Sequence, residues 1–314
     1  MMKAKILPFF LAAAMAFGAA PPTPVIFDTD MGNDIDDALA LAMLHSLETR
    51  GEIRLVAMTV TKDNPWAPRY VSAVNTFYGR ARIPIGMVKN GVTKEEGKYL
   101  RKAIEAGHYP YSDYTEDAVA LLQKALAAEA DGSVVILQVG FSTNLAHLLE
   151  APGGRDLVKR KVKLLSLMAG DFTNHGPEYN VKEDVPSAKK LVAEWPTPTV
   201  WSGFEIGQVI KFPARSIEHD FAWAAHHPVV DGYKNYMKFP YDRETWDLTA
   251  VLAALRPGDG YFGYSPAGRV TVDDKGFTHF QPEAGGRDRY LTVNDAQRGR
   301  VLEALIWLAT QPAD

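Results

Sequence analysis

The chain has 314 residues, 46% of them hydrophobic and 23% charged, and no cysteine. This globular composition excludes disulfides, thiolate metal sites and a cysteine nucleophile. A formal net charge of −4, with no Lys/Arg run, gives no electrostatic footprint for nucleic acid or for an acidic membrane surface.

In chain order, residues 1–5 are a short basic segment. ILPFFLAAAMAFG is an apolar run of signal-peptide length, too short to span a bilayer, and small residues follow it before PPTP. The expectation is a signal peptide over 1–20 and a single catalytic domain over 21–314, exported to the periplasm or beyond. No cysteine follows the apolar run, so a lipid-anchored cysteine is excluded. Val25–Asp28 reads as a strand, and Asp36 to Leu47 as a helix with acids in its first turn, where they suit the helix dipole. IRLVAMTV (53–60) is a second strand, 69–78 a helix and IPIGM (83–87) a third strand. Residues 89–115 form a polar excursion, and 117–130 an amphipathic helix. VVILQVG (134–140) is a strand, 143–150 a helix, 151–155 a turn and VKLLSLMAG (162–170) a strand. Helix 187–194, strand 197–204 and helix 247–255 follow, then a hairpin over 269–280 turning at Asp274–Gly276, and a closing helix over 296–310.

Helices alternate with strands that are apolar on both faces. That pattern predicts a single α/β domain, Rossmann-type, with a mainly parallel open sheet flanked by helices. Such sheets bind ligands at the carboxyl ends of their strands. Polar groups fall there: 28–37, 62–64, 140–144 and 170–171.

Five aspartates, Asp28, Asp30, Asp34, Asp36 and Asp37, crowd the first of these groups. Helix capping accounts for one or two acids at a helix start, but not for Asp28 and Asp30 at a strand end. An EF-hand loop needs acids at positions 1, 3 and 5 and glycine at 6; counted from Asp28, position 5 is Gly32 and position 6 Asn33, so the pattern fails. A strand ending in Asp-x-Asp also begins haloacid-dehalogenase-like Mg²⁺ phosphohydrolases, which would make Asp28 a nucleophile. The remaining reading is a hard-cation site in an enzyme, held by oxygen ligands.

DTDMGNDIDDALAL (28–41) resembles the N-terminal signature of the inosine–uridine preferring nucleoside hydrolase family, with Met31 in place of the usual proline and two extra residues before the final aspartate pair. Four further stretches resemble that family in the same order: LVAMTVTKDN (55–64), VVILQVGFSTNLA (134–146), MAGDFTNHGPEYNVKEDVPSAKKL (168–191) and WDLTAVLAAL (246–255). The resemblance implies a Ca²⁺-dependent enzyme that cleaves the N-glycosidic bond of ribonucleosides to ribose and free base. It makes Asp30, Asp37, the Val139 carbonyl and Asp247 the metal ligands, with Asp30 also the base that activates a water on the metal. Asp36, Asn64, Glu178 and Asn180 take the sugar hydroxyls, and Trp246 borders the substrate where histidine is common. Asp28 supports the others, and Asp34, inside the two-residue insertion, has no assigned role. The partners implied are a small-molecule ribonucleoside and further copies of the chain, as a dimer or tetramer, in nucleoside salvage.

These residue types suit the chemistry. Breaking C1′–N creates cationic character on the sugar and negative charge on the base. Carboxylates stabilise the first, and one of them can take a proton from the attacking water. Trp246 cannot protonate a departing base, which leaves His108, His175 and Tyr241 as candidate donors and an expectation that the leaving group limits turnover. The competing readings are the phosphohydrolase and an exported sugar- or nucleoside-binding protein without catalysis.

Overall fold

A computed structural model describes residues 21–173 and 176–312. The expected signal segment and His175 lie outside the described residues. The strands, in chain order, are β1 Thr23–Thr29, β2 Ile53–Val60, β3 Ile85–Met87, β4 Glu116–Asp117, β5 Val134–Gln138, β6 Val162–Met168, β7 Thr199–Ser202, β8 Lys211–Phe212, β9 Arg243–Glu244, β10 Gly263–Tyr264, β11 Gly268–Val272, β12 Thr278–Pro282 and β13 Asp288–Thr292. The main sheet runs β12-β11-β13-β7-β6-β5-β1-β2-β3-β4, with β10 paired to β13, while β8 and β9 form a separate ribbon. From β4 to β13 every pairing is parallel. The β11–β12 hairpin closes one side antiparallel. Among the described residues no helix is long and apolar enough to cross a membrane.

The sheet is parallel because its strands are buried on both faces. Val25, Ile26 and Phe27 are fully buried, as are Ile136 and Leu137, so each strand needs helices above and below. Ile26, Ile136 and Leu165 face one core and Val25, Phe27 and Leu137 the other, the alternation that a strand's twofold period imposes. Helix Asp36–Thr49 is buried along nearly all its length, because it lies between the sheet and the C-terminal helices.

Strand order reverses direction between β1 and β5, whose carboxyl ends lie side by side: Val139 N donates to Asp28 O at 2.7 Å. A crevice opens at such a switch point. Gly140 lets the two strand ends approach. A Cβ there would meet the Asp30 backbone nitrogen at 2.5 Å and the Thr29 carbonyl carbon at 2.8 Å. Gly140→Ala is therefore expected to cost about 1–3 kcal/mol of stability by overpacking and to displace Asp30, which urea unfolding and turnover measured on the same variant will show.

Several elements were not legible in the sequence. The 89–115 excursion contains helix Leu100–Gly107, seated by Leu100, Ala103 and Ile104. The turn over 151–155 runs into helix Gly154–Lys161, where the run of charges hides a helix held by Val158. Strand β13 was not anticipated at all. Its polar sequence DRYLT is stitched into the sheet by buried Asp288, which accepts from Thr199 Oγ1 at 2.7 Å and from the Val270 amide at 2.8 Å.

Candidate active site

The loop after β1 carries Asp30 and Asn33, and the helix that follows begins with Asp36 and Asp37. They line a cavity of about 310 Å³ together with Asp34, Val139, Met168, Glu178, Tyr179, Asn180, Phe204, Arg243, Trp246 and Asp247. Every residue expected at the site lies on this wall except Asn64. Its side chain accepts from the Trp66 amide at 3.0 Å and donates to Lys94 O at 2.9 Å, so it joins the turn before helix Trp66–Phe77 to the 92–98 segment. Asn64 thus lies outside the lining of this cavity, with its amide engaged in the turn before helix Trp66–Phe77.

Asp36, Asp37 and Asp247 offer oxygens that all lie within 4.8 Å of one another, and all three residues are buried. Asp247 opens helix Trp246–Leu255, and its backbone nitrogen donates to Asp36 Oδ2 at 3.0 Å, locking the two helix starts together. Asp37 accepts from the Thr29 hydroxyl. Sequence resemblance grouped Asp30 with Asp37 and Asp247; in the structure Asp36 stands in that tight group, while Asp30 lines the same cavity outside it.

Burial pushes all these carboxyls up, and their mutual repulsion adds to it. The acids of Asp36, Asp37 and Asp247 are held well above the usual carboxylate range. Asp30 is raised by burial to about 6, against the opposing pull of its hydrogen bond from Asn33 and the charge of Lys62. Glu178 is raised by burial to about 7, although its carboxyl accepts from the backbone of Gly170, Asn180 and Val181. That fixes Glu178 at the start of a short helix on the cavity wall. Asn180 donates to Val139 O at 2.8 Å and Met168 O at 3.0 Å, leaving its own amide oxygen uncommitted among the described residues.

Among the described residues, Arg243 on the cavity wall and Lys62 beside Asp30 are the cations near these acids, and each is engaged outside the group of three. Arg243 takes both oxygens of Asp34, one of them at 2.9 Å, and also binds Glu244. Asp34 therefore anchors Arg243, and 209 residues separate the pair in sequence, so the pairing had no local signal. The Arg243 guanidinium lies 5.1 Å from the centre of the Trp246 ring, on which Phe204 stacks at 5.3 Å. Lys62 donates to Asn33 Oδ1.

Asp28 does not face the cavity. It is fully buried, and its Oδ1 accepts from Thr59 Oγ1 at 2.6 Å and Asn144 Nδ2 at 2.8 Å, so it is enclosed where a nucleophile would have to be reachable. Of the other candidate donors, His108 is an exposed left-handed helix terminator, and the Tyr241 hydroxyl is spent on Tyr233 O at 2.6 Å. His227 is buried at a helix start beside Tyr78, and burial lowers it to about 3.

The inosine-uridine preferring nucleoside hydrolase family matches residues 25–303. Among solved structures, a plant nucleoside hydrolase superposes with a TM-score of 0.74 at 23% identity, over 93% of this chain and 100% of that one. A purine-preferring ribonucleoside hydrolase from Gardnerella vaginalis gives 0.71 at 17% identity, over 91% and 99%. An inosine-uridine preferring nucleoside hydrolase from Bacillus anthracis gives 0.67 at 17%, over 92% and 99%. At these identities the likenesses show a common fold. No curated protein sequence gives a significant match.

Proposed function

The chain belongs to the inosine-uridine preferring nucleoside hydrolase family, hydrolases of N-glycosyl bonds, and we propose that it is an exported Ca²⁺-dependent ribonucleoside N-ribohydrolase in which Asp30 is the base. The observation that carries this reading is the convergence of Asp36, Asp37 and Asp247 within 4.8 Å. Three buried acids with no ion pair of their own among the described residues need protons or a cation. An all-oxygen donor set suits a hard divalent ion, and Ca²⁺ accepts six to eight oxygens. The Val139 carbonyl and Asp30, on the same wall, would be the further ligands of such an ion. When bound, such an ion supplies positive charge that acidifies a water and grips vicinal hydroxyls.

The residues then divide the work. Asp30 takes a proton from the attacking water, and Asn33, at 2.8 Å from Asp30 Oδ2, holds the carboxyl in place. Glu178, Asn180 and Asp36, on the wall of the same cavity, would take the sugar hydroxyls. Trp246, braced through its Nε1 on Phe204 O at 2.9 Å, walls the far side. Export rests on the basic and apolar sequence of residues 1–20, and assembly as a dimer or tetramer on the family resemblance.

Incubation with a panel of purine and pyrimidine ribonucleosides, and in parallel with nucleoside monophosphates, tests this function. Reducing sugar and free base from the nucleosides are expected; phosphate release from the monophosphates without sugar release would replace the hydrolase with a phosphohydrolase. Binding without turnover would leave a binding protein.

A further inference from the structure

Lys62 has no part in the mechanism above, yet it is 1% exposed and sits beside the base Asp30. A buried ammonium with unmet donors is costly. It has three N–H donors, and among the described residues Asn33 Oδ1 is its hydrogen-bond partner and it forms no ion pair. The amide of Asn33 thus stands between Lys62 and Asp30, donating to one and accepting from the other.

Lys62 and Asn33 line a second chamber of about 580 Å³, whose wall comes from the 92–98 segment, Tyr179 and Glu183. Asn33 and Tyr179 also line the first cavity, so the two chambers adjoin. The second has a firm floor: a Cβ at Gly97 would meet Gly32 O at 2.3 Å, which presses the 92–98 segment onto the β1 loop. Tyr179 is 46% exposed and offers an aromatic face where the chambers meet. The first chamber holds the carboxylates that a sugar needs. A planar base attached to that sugar has the second to enter.

We propose that the second chamber receives the base of the substrate, and that the Lys62 ammonium hydrogen-bonds the ring acceptor on which negative charge collects as C1′–N breaks. The proposal rests on the hydrolase reading and adds the leaving-group contact that Trp246 cannot supply. The bond electrons of C1′–N stay with the base. The water oxygen bonds to C1′ and its proton goes to Asp30. The base anion, paired with the ammonium, takes its proton from solvent. A preorganised positive donor at the point of developing charge is a strong form of transition-state stabilisation.

The test compares inosine, a nucleoside with a poor leaving group, with 4-nitrophenyl β-D-ribofuranoside, whose nitrophenolate departs unaided. For Lys62→Met, kcat/KM is expected to fall about 10²–10³-fold on inosine and less than about threefold on the aryl riboside, the size of effect seen when one charge-stabilising donor is removed. Lys62→Arg keeps the charge and is expected to recover most of the inosine rate. Equal losses on both substrates would mark Lys62 as structural and overturn the proposal, as would an unchanged inosine rate. Failure of the unaltered protein to cleave either substrate would instead overturn the hydrolase reading beneath it.

Discussion

Asp30→Asn is expected to lower kcat on a nucleoside by about 10²–10⁴-fold, the range for loss of a positioned general base, while KM changes little. The argument is geometric first. Asp30 follows β1 directly, is 4% exposed and lines the cavity beside the carboxylate group. One of its oxygens is held by Asn33. Its acid is raised by burial to about 6, close to the neutral range in which a base works best. Asparagine keeps the shape but cannot take the proton. Asp28→Asn is the matched control, because Asp28 lies behind the wall and is held by Thr59 and Asn144. It is expected to change the unfolding midpoint and to leave kcat within about tenfold. Reversal of the two effects would favour the phosphohydrolase, with Asp28 as nucleophile. Steady-state kinetics and chemical unfolding on both variants decide it.

The second large effect concerns stability. Chelator-treated protein is expected to lose stability as pH rises from 5 to 8, and Ca²⁺ is expected to restore it mainly at the higher pH. The sign follows from the folded-state acids. Burial raises Asp28 and Glu178 each to about 7, and burial with mutual repulsion holds Asp36, Asp37 and Asp247 well above the ordinary range. The native state therefore binds more protons than the unfolded chain above the ordinary carboxylate range, and stability falls with pH through that window. A cation takes over the role of the protons on the clustered acids. At a hundred times its dissociation constant, an ion that binds the native state alone adds about 2.7 kcal/mol. At pH 5 protons compete for the same oxygens, so the gain shrinks. Thermal melts at both pH values, with chelator and with added Ca²⁺, read this directly. Asp247→Asn is expected to reduce the Ca²⁺ response, since it removes one of the three convergent acids.

Much of this architecture was legible because the signals were local. β2 matches its expected limits, Ile53–Val60, as does helix Thr143–Glu150. Apolar runs bounded by turns carry that information unaided. The acid-rich crossover after β1 was legible for the same reason, since its charges are contiguous. What escaped notice depends on distant partners. Arg243 is defined by Asp34, and β13 is held by Asp288 acting on residues of β7 and β11. Asn64 ends the second strand's motif, and its bonds to the Trp66 amide and to Lys94 O involve backbone groups that the motif does not reveal. Asp34, which lacked a role in the sequence, becomes the anchor of an arginine in the site.

The most direct measurement is sugar release by chelator-treated protein before and after Ca²⁺ is added back. A ribonucleoside such as inosine should then yield ribose and free base in equal amounts with Ca²⁺, and neither without it. Undiminished release in the presence of chelator would contradict the assignment of Asp36, Asp37 and Asp247 as a working cation site, and no release under either condition would contradict the hydrolase itself.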